Sequence, residues 1–416
     1  MWRNLKWLVP AIITMIAFFQ CSNRKQELKT GDWRGVFWVD DEPVPFLFKL
    51  SATDGKTSFV VPGGSREDHY EVSYVGNDSI HVSPETFEYR LFAKIQPDGR
   101  LTGEYRDLTP GNTSRVLRFE AEQNKNYRFV RPEDRKKPAA DLTGNWSLKI
   151  AERQGDAANR VATLLQEGND LKGIVLAITG DTGDLAGEIS GDEFWLSGFS
   201  GMGVTLVKGK IDQSGKISGS IGFGTKALHF SGERNESAAL ADAYSLTYLK
   251  PGFRELEVRL PNLKGDTVST TDSRYKGKVL VIEILGSWCP NCRDQIEFLN
   301  PWYEKNKDRG VEVLGVAFEM KDDFALAGKL LGRMIDRYDI GYEILYGGTT
   351  DSTNVQSKFK ALNRFLAFPT TIVVGRDGKV KAIHTGFSGR GTGKFYEEFV
   401  VRWNREMDKW LAEPAE

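Results

Sequence analysis

The sequence predicts a multidomain chain, with two repeated antiparallel β-barrel or β-sandwich domains followed by an α/β domain. Three observations carry that prediction. The first is an internal repeat. Thr30-Gly31-Asp32-Trp33 recurs as Thr143-Gly144-Asn145-Trp146, 113 residues further on. Lys94-Ile95-Gln96-Pro97-Asp98-Gly99-Arg100-Leu101-Thr102-Gly103 recurs as Lys210-Ile211-Asp212-Gln213-Ser214-Gly215-Lys216-Ile217-Ser218-Gly219. Gly76-Asn77-Asp78 and Leu117-Arg118-Phe119 recur in the same order as Gly191-Asp192-Glu193 and Leu228-His229-Phe230. The second is a change of periodicity near residues 233–252, from short alternating segments to longer apolar runs separated by helical patterns. The third is Trp288-Cys289-Pro290-Asn291-Cys292, which holds two of the three cysteines and follows the apolar run 279–285.

Taken in chain order, the N-terminus reads as an export signal. Arg3 and Lys6 supply a positive start, and Trp7 to Phe19 is almost wholly apolar. That run is short for a membrane span, which needs about 20 residues. Cys21 follows it directly, an arrangement that resembles a bacterial lipoprotein signal, although Gln20 departs from the small residue preferred there. The resemblance implies that residues 1–21 are a signal peptide and that Cys21 is lipidated. The chain is then expected on the periplasmic side of a bacterial envelope, held to a membrane by lipid. Only two thiols would remain, and an exported protein with one dithiol uses it for exchange rather than as a staple. With 56 basic and 57 acidic residues, no cationic surplus exists to neutralise phosphates, which argues against nucleic-acid binding.

The two copies are placed at residues 27–128 and 140–235. Each is rich in short alternating segments such as Phe46-Leu47-Phe48-Lys49-Leu50 and Phe194-Trp195-Leu196, punctuated by Asp54-Gly55, Asp98-Gly99 and Ser214-Gly215. Short strands between Gly-rich turns imply an antiparallel barrel or sandwich. The opening Gly-x-Trp of each copy resembles the start of lipocalin-type barrels. A charged, Pro-containing linker, residues 131–138, separates the copies.

The α/β domain is placed at residues 252–413. Val279 to Leu285 reads as a buried strand, followed by an amphipathic helix to about Lys307. Residues 311–318 form a second apolar strand, and a helical stretch runs from Asp322 to about Arg337. Thr370–Val374 and Lys379–Ile383 flank Asp377-Gly378 as a hairpin. A last helix extends from about Gly393 to Leu411. If a helix begins just after Cys289, the two sulfurs share one face and can meet. The first would then lie at the helix N-terminus, whose partial positive charge stabilises a thiolate.

These residues, with Gly310-Val311-Glu312-Val313-Leu314, Phe368-Pro369-Thr370-Thr371 and Asp377-Gly378-Lys379-Val380, resemble the thioredoxin superfamily, specifically its membrane-anchored TlpA-like thiol-disulfide oxidoreductases. The resemblance implies an enzyme with a thioredoxin fold in which Cys289 and Cys292 are the redox-active pair. Cys289 would attack a substrate disulfide, and Cys292 would resolve the mixed disulfide. Trp288, Pro290, Phe368 and Pro369 would contact substrate, with Pro369 the family's cis-proline. Glu283, six residues before Cys289, stands where thioredoxins place a buried proton-relaying acid; desolvation within an apolar strand would raise its pKa. Glu319 resembles an acid found near the site in some members. The implied partners are disulfide-containing proteins and a membrane electron donor, with no cofactor. No metal site is expected either, because a zinc centre needs two more ligands, and His69, His81, His229, His384 and Cys21 offer no ligand-like spacing.

Two other functions compete. A peroxiredoxin-like peroxidase would place a Pro-x-x-x-Thr/Ser-x-x-Cys arrangement before its reactive cysteine. Leu285-Gly286-Ser287-Trp288 supplies no such proline. A ligand- or partner-binding protein would use Trp33, Phe37, Trp38, Trp146 and Trp195 to line a pocket in the β domains, leaving the dithiol accessory. More often such residues fill a small barrel.

Overall fold

The structure, a computed structural model, describes residues 28–64, 66–84, 87–109, 116–151 and 158–414. The expected signal segment and Cys21 lie outside the described residues. Two closed eight-stranded antiparallel barrels come first, and a mixed five-stranded sheet with helices on its faces follows. In the first barrel the opening strand, Gly31–Val39, pairs with the second strand and also with the last, Val116–Gln123. In the second barrel Ala158–Glu167 pairs with both Gly144–Ile150 and Asp170–Ala177, which closes the ring.

The repeat is visible atom by atom. Trp33 donates its indole N–H to the Lys29 carbonyl at 3.1 Å, and Trp146 donates to Leu142 at 2.9 Å. Both tryptophans are fully buried. Gly103 and Gly219 occupy matching strand positions where neighbouring backbone passes so close that a Cβ would lie 1.9 and 2.0 Å from a carbonyl oxygen. Only glycine fits there.

The first barrel is filled with rings. Phe37 and Phe46 stack at 5.0 Å, and Phe48 and Phe59 at 4.0 Å. Phe199 from the second barrel closes one end, with its ring 5.1 Å from Phe37 and 5.3 Å from Phe46. Trp38 and Trp195 lie in neither core cluster; Arg118 stacks over Trp38, and Trp195 stacks on Phe129. Residues 131–138, expected as the linker between the copies, do lie between the two barrels and are also pinned to the second. Arg135 reaches Asp170 at 2.9 Å and the buried Glu188 at 3.2 Å, and Glu188 also accepts from the backbone N–H groups of Arg128 and Phe129.

In the α/β domain β1 (Val279–Leu285) is central, with all seven residues buried. It runs parallel to β2 (Val311–Glu319) and antiparallel to β4 (Thr370–Val374). β3 (Glu343–Thr349) extends the sheet beside β2, and β5 (Val380–Thr385) extends it beside β4. The helices are α1 (Pro290–Asn306), α2 (Phe324–Tyr338), α3 (Ser352–Lys358) and α4 (Lys394–Ala412). α2 starts two residues later than expected because Asp323 caps it, its carboxylate accepting from the Leu326 N–H at 2.9 Å. β3 and α3 were not foreseen in the sequence. Alternation along β1 sends Val279, Val281 and Leu285 into the layer that holds both cysteines, α1 and α4. Leu280, Ile282 and Ile284 face the other side.

Candidate functional site

β1 ends where the chain must turn sharply into α1. Gly286 makes the turn: a Cβ there would lie 2.3 Å from the Trp288 indole nitrogen and 2.7 Å from the Phe318 carbonyl. Trp288 donates to that carbonyl at 2.9 Å, fastening the turn to β2. Ser287 is held by Glu319, whose carboxylate accepts from its N–H at 3.0 Å and its hydroxyl at 2.7 Å. Burial raises the Glu319 pKa to about 7 against the lowering pull of those two bonds.

Cys289 is the N-cap of α1 and Pro290 occupies its first turn, where a missing N–H costs nothing. The Cys289 sulfur accepts from the Cys292 N–H at 3.2 Å. The two cysteines are joined as a disulfide with Cα atoms 5.2 Å apart. Cys292 is fully buried and Cys289 is 5% exposed. On reduction, the Cys289 sulfur would sit at the positive end of a 17-residue helix, which favours its thiolate.

The residues expected to contact substrate meet here. Trp288 and Phe368 pack edge to face at 5.2 Å, and the Phe368–Pro369 peptide is cis. The Pro369 carbonyl accepts from the Gly386 N–H at 2.8 Å. Gln295 of α1 donates to the Thr371 hydroxyl at 2.6 Å, tying the helix to the strand after Pro369.

Glu283 lies in β1 opposite Thr371 and is fully buried. Its position in the alternation places it with Val281 and Leu285, on the side of the cysteines. Tyr342 donates to its Oε2 at 2.8 Å, while Oε1 has no partner within the protein. Burial pushes the Glu283 pKa up to about 8, and the Tyr342 bond pulls it down. A carboxyl poised near neutrality is suited to give and take protons. His384 is also buried, with its pKa lowered to about 4, but it packs between the Tyr244 and Phe399 rings as a neutral core residue.

Tyr342 and Gln295 were missed from sequence. The short, mostly apolar run Tyr342-Glu343-Ile344-Leu345-Tyr346 was a usable strand signal. Gln295 gave none, since a polar residue on an amphipathic helix reads as solvated.

This architecture defines a thioredoxin-like domain in the C-terminal part of the chain. The AhpC/TSA family matches residues 254–383. Thiol-disulfide oxidoreductase ResA of Halalkalibacterium halodurans is 24% identical over 156 residues, 36% of this chain and 76% of that protein. ResA of Bacillus cereus is 24% identical over 166 residues, 39% of this chain and 79% of that protein. A thiol-disulfide oxidoreductase structure from Bacteroides fragilis is 24% identical, with a TM-score of 0.26, and is matched over 35% of this chain and 99% of its own. The chain is thus a distant homologue of ResA-type thiol-disulfide oxidoreductases and carries an oxidoreductase domain with a Cys-x-x-Cys disulfide. Such chemistry acts on protein disulfides in general.

Proposed function

We propose that the chain is an exported, membrane-tethered protein-disulfide reductase whose dithiol is Cys289 and Cys292. The observation that carries this reading is the pair itself: a disulfide at the start of α1, with a protonatable buried carboxyl, Glu283, in the same layer. Two electrons from a membrane dithiol donor convert the disulfide to thiols. The Cys289 thiolate then attacks one sulfur of a substrate disulfide. A Cys289–substrate disulfide forms, the substrate S–S bond breaks, and the released thiolate takes a proton. Cys292, losing its proton to the ionised form of Glu283, attacks Cys289; the second substrate thiolate leaves and takes up a proton, and the enzyme disulfide is restored. The Cys289-Cys292 pair loses two electrons and the substrate gains two. Trp288, Phe368 and the cis-Pro369 backbone would hold the substrate chain in an extended, strand-like contact. Lipid on Cys21 would supply the tether.

A Cys292→Ala variant tests this. It should accumulate a mixed disulfide through Cys289 with proteins of the bacterial envelope, released by dithiothreitol. Turnover of protein disulfides that survives Cys289→Ser would sink the proposal. Fast peroxide consumption by the reduced protein, with poor disulfide exchange, would favour a peroxidase instead.

A further inference from the structure

The connection between the third and fourth strands of the ring occurs once in each barrel, and both copies pack near the start of α1, the helix that begins at the dithiol. In the first barrel it lies between Lys56–Pro62 and Glu67–Val75 and includes Gly63, Gly64 and Arg66. In the second it spans residues 178–184, between Asp170–Ala177 and Leu185–Ser190. The two connections touch: a Cβ on Gly63 would lie 2.9 Å from the Asp184 carboxylate. From the first barrel, Arg66 reaches Asp294 at 2.6 Å and Glu297 at 3.3 Å, both on α1, and Asp68 lies 3.5 Å from Arg293. From the second, Asp181 accepts from the Gly389 N–H at 2.8 Å. Gly180 sits against Asn291, so closely that a Cβ would fall 1.6 Å from the Asn291 amide nitrogen. A Cβ on Gly386 would lie 2.8 Å from the Ile178 carbonyl oxygen.

These contacts land on Asn291, one of the two residues between the cysteines, on the first turns of α1 and on the segment bonded to Pro369. They take up the ground on which a bulky partner would have to rest. Beside Asn291 lies a cleft of about 780 Å³ at the end of the second barrel, lined by Val175, Ala177, Thr179 and Phe223. That volume suits a small molecule or a few residues of extended chain.

We propose that the paired barrel connections are a size filter on the dithiol, admitting disulfides on small or extended chains and excluding those on folded surfaces. The filter rests on the oxidoreductase reading above and names its substrate class. Thiol–disulfide exchange needs the attacking sulfur to reach its target, so for disulfides of similar leaving-thiol pKa, access decides which react. Duplication of the barrel gave the filter its two halves, one fixed to α1 by ion pairs and one lying over Asn291 and Gly389.

The test uses the full chain, reduced with dithiothreitol and desalted, in single-turnover reactions. Three oxidants are compared: 2-hydroxyethyl disulfide, an unstructured peptide bearing a mixed disulfide with a chromophoric thiol, and native insulin. Unmodified protein should react with the first two at least ~100-fold faster than with insulin, relative to the rates of free dithiothreitol. The double variant Arg66→Gln/Asp181→Ala should raise the insulin rate ~10-fold or more and leave the small-disulfide rate within about twofold. Equal selectivity in the unmodified protein, or no change in the folded double variant, overturns the filter. If the double variant does not fold, alkylation of the unmodified reduced protein decides. A small iodoacetamide should label Cys289 far faster than a polymer-linked one, and equal relative rates overturn the proposal. Failure to react with any of the three oxidants would instead overturn the oxidoreductase reading.

Discussion

Glu283 is the residue whose chemistry the fold changes most. Its pKa rises to about 8 because burial penalises the carboxylate. The unfolded chain ionises near the ordinary glutamate value, so unfolding releases a proton between that value and 8. Stability linked to Glu283 is therefore complete below the unfolded pKa and is lost as pH rises through the folded one. Glu283→Gln should unfold at nearly the same temperature as the parent at pH 4 and at a progressively higher relative temperature up to pH 8, measured by calorimetry. The same variant should slow release of the mixed disulfide ~100-fold at neutral pH and erase the rate inflection near 8. Tyr342→Phe removes the one hydrogen bond that favours the ionised form. It should move the Glu283 titration upward by about one unit, read by carboxyl-resolved spectroscopy.

At the scale of elements, the barrels depend on a few positions that tolerate no change. Gly103→Ala and Gly219→Ala each drive a methyl group into a neighbouring carbonyl. Each should cost roughly 2 kcal/mol in denaturant unfolding, with similar values reflecting their equivalent places. Glu188 is 2% exposed and takes hydrogen bonds from two backbone N–H groups and from Arg135. Glu188→Ala would take this acceptor from the Arg128 and Phe129 N–H groups and leave Arg135 only Asp170 and the Val130 carbonyl, and a loss of about 3 kcal/mol is expected. The residue is invisible as an anchor in sequence, where Gly187-Glu188-Ile189 is one more alternating strand. The segment 131–138 is the linker its prolines and charges predict, but its fastening to the second barrel through Arg135 was hidden for a related reason, because Asp170 and Glu188 lie tens of residues further along the chain.

For the whole molecule, the three domains share surfaces rather than hanging in series. Phe199 leaves its own barrel to pack among the rings of the other. Phe199→Ala should cost about 2 kcal/mol and make the unfolding of the two barrels less concerted, visible as a broadened calorimetric transition. Barrel one's packed rings also bear on the binding-protein alternative: Trp33 and Phe37 are spent on the core, while Trp38 lies outside it under Arg118. Residues 235–252 are similarly tied down, with Arg402 paired to Asp242 at 2.9 Å and the Thr385 N–H bonded to Ala243. The dithiol therefore works at a junction to which both barrels contribute.

The duplication, the change to an α/β domain and the Cys-x-x-Cys pair were legible in the sequence, because each depends on local spacing: a recurrent motif, a period, a three-residue step. So was a carboxylate inside an apolar strand at Glu283. What the chain order could not reveal is which distant groups meet. Tyr342 reaches Glu283 across 59 positions, and Gly389 reaches Asp181 across 208. Those meetings follow from strand order and from how barrel surfaces fit α1, which no local pattern encodes. The sequence by itself determined the paired sulfurs and the carboxyl in the strand before them; only the tertiary structure decided which tyrosine bonds that carboxyl and which barrel surfaces meet α1, because those contacts join residues far apart in the chain.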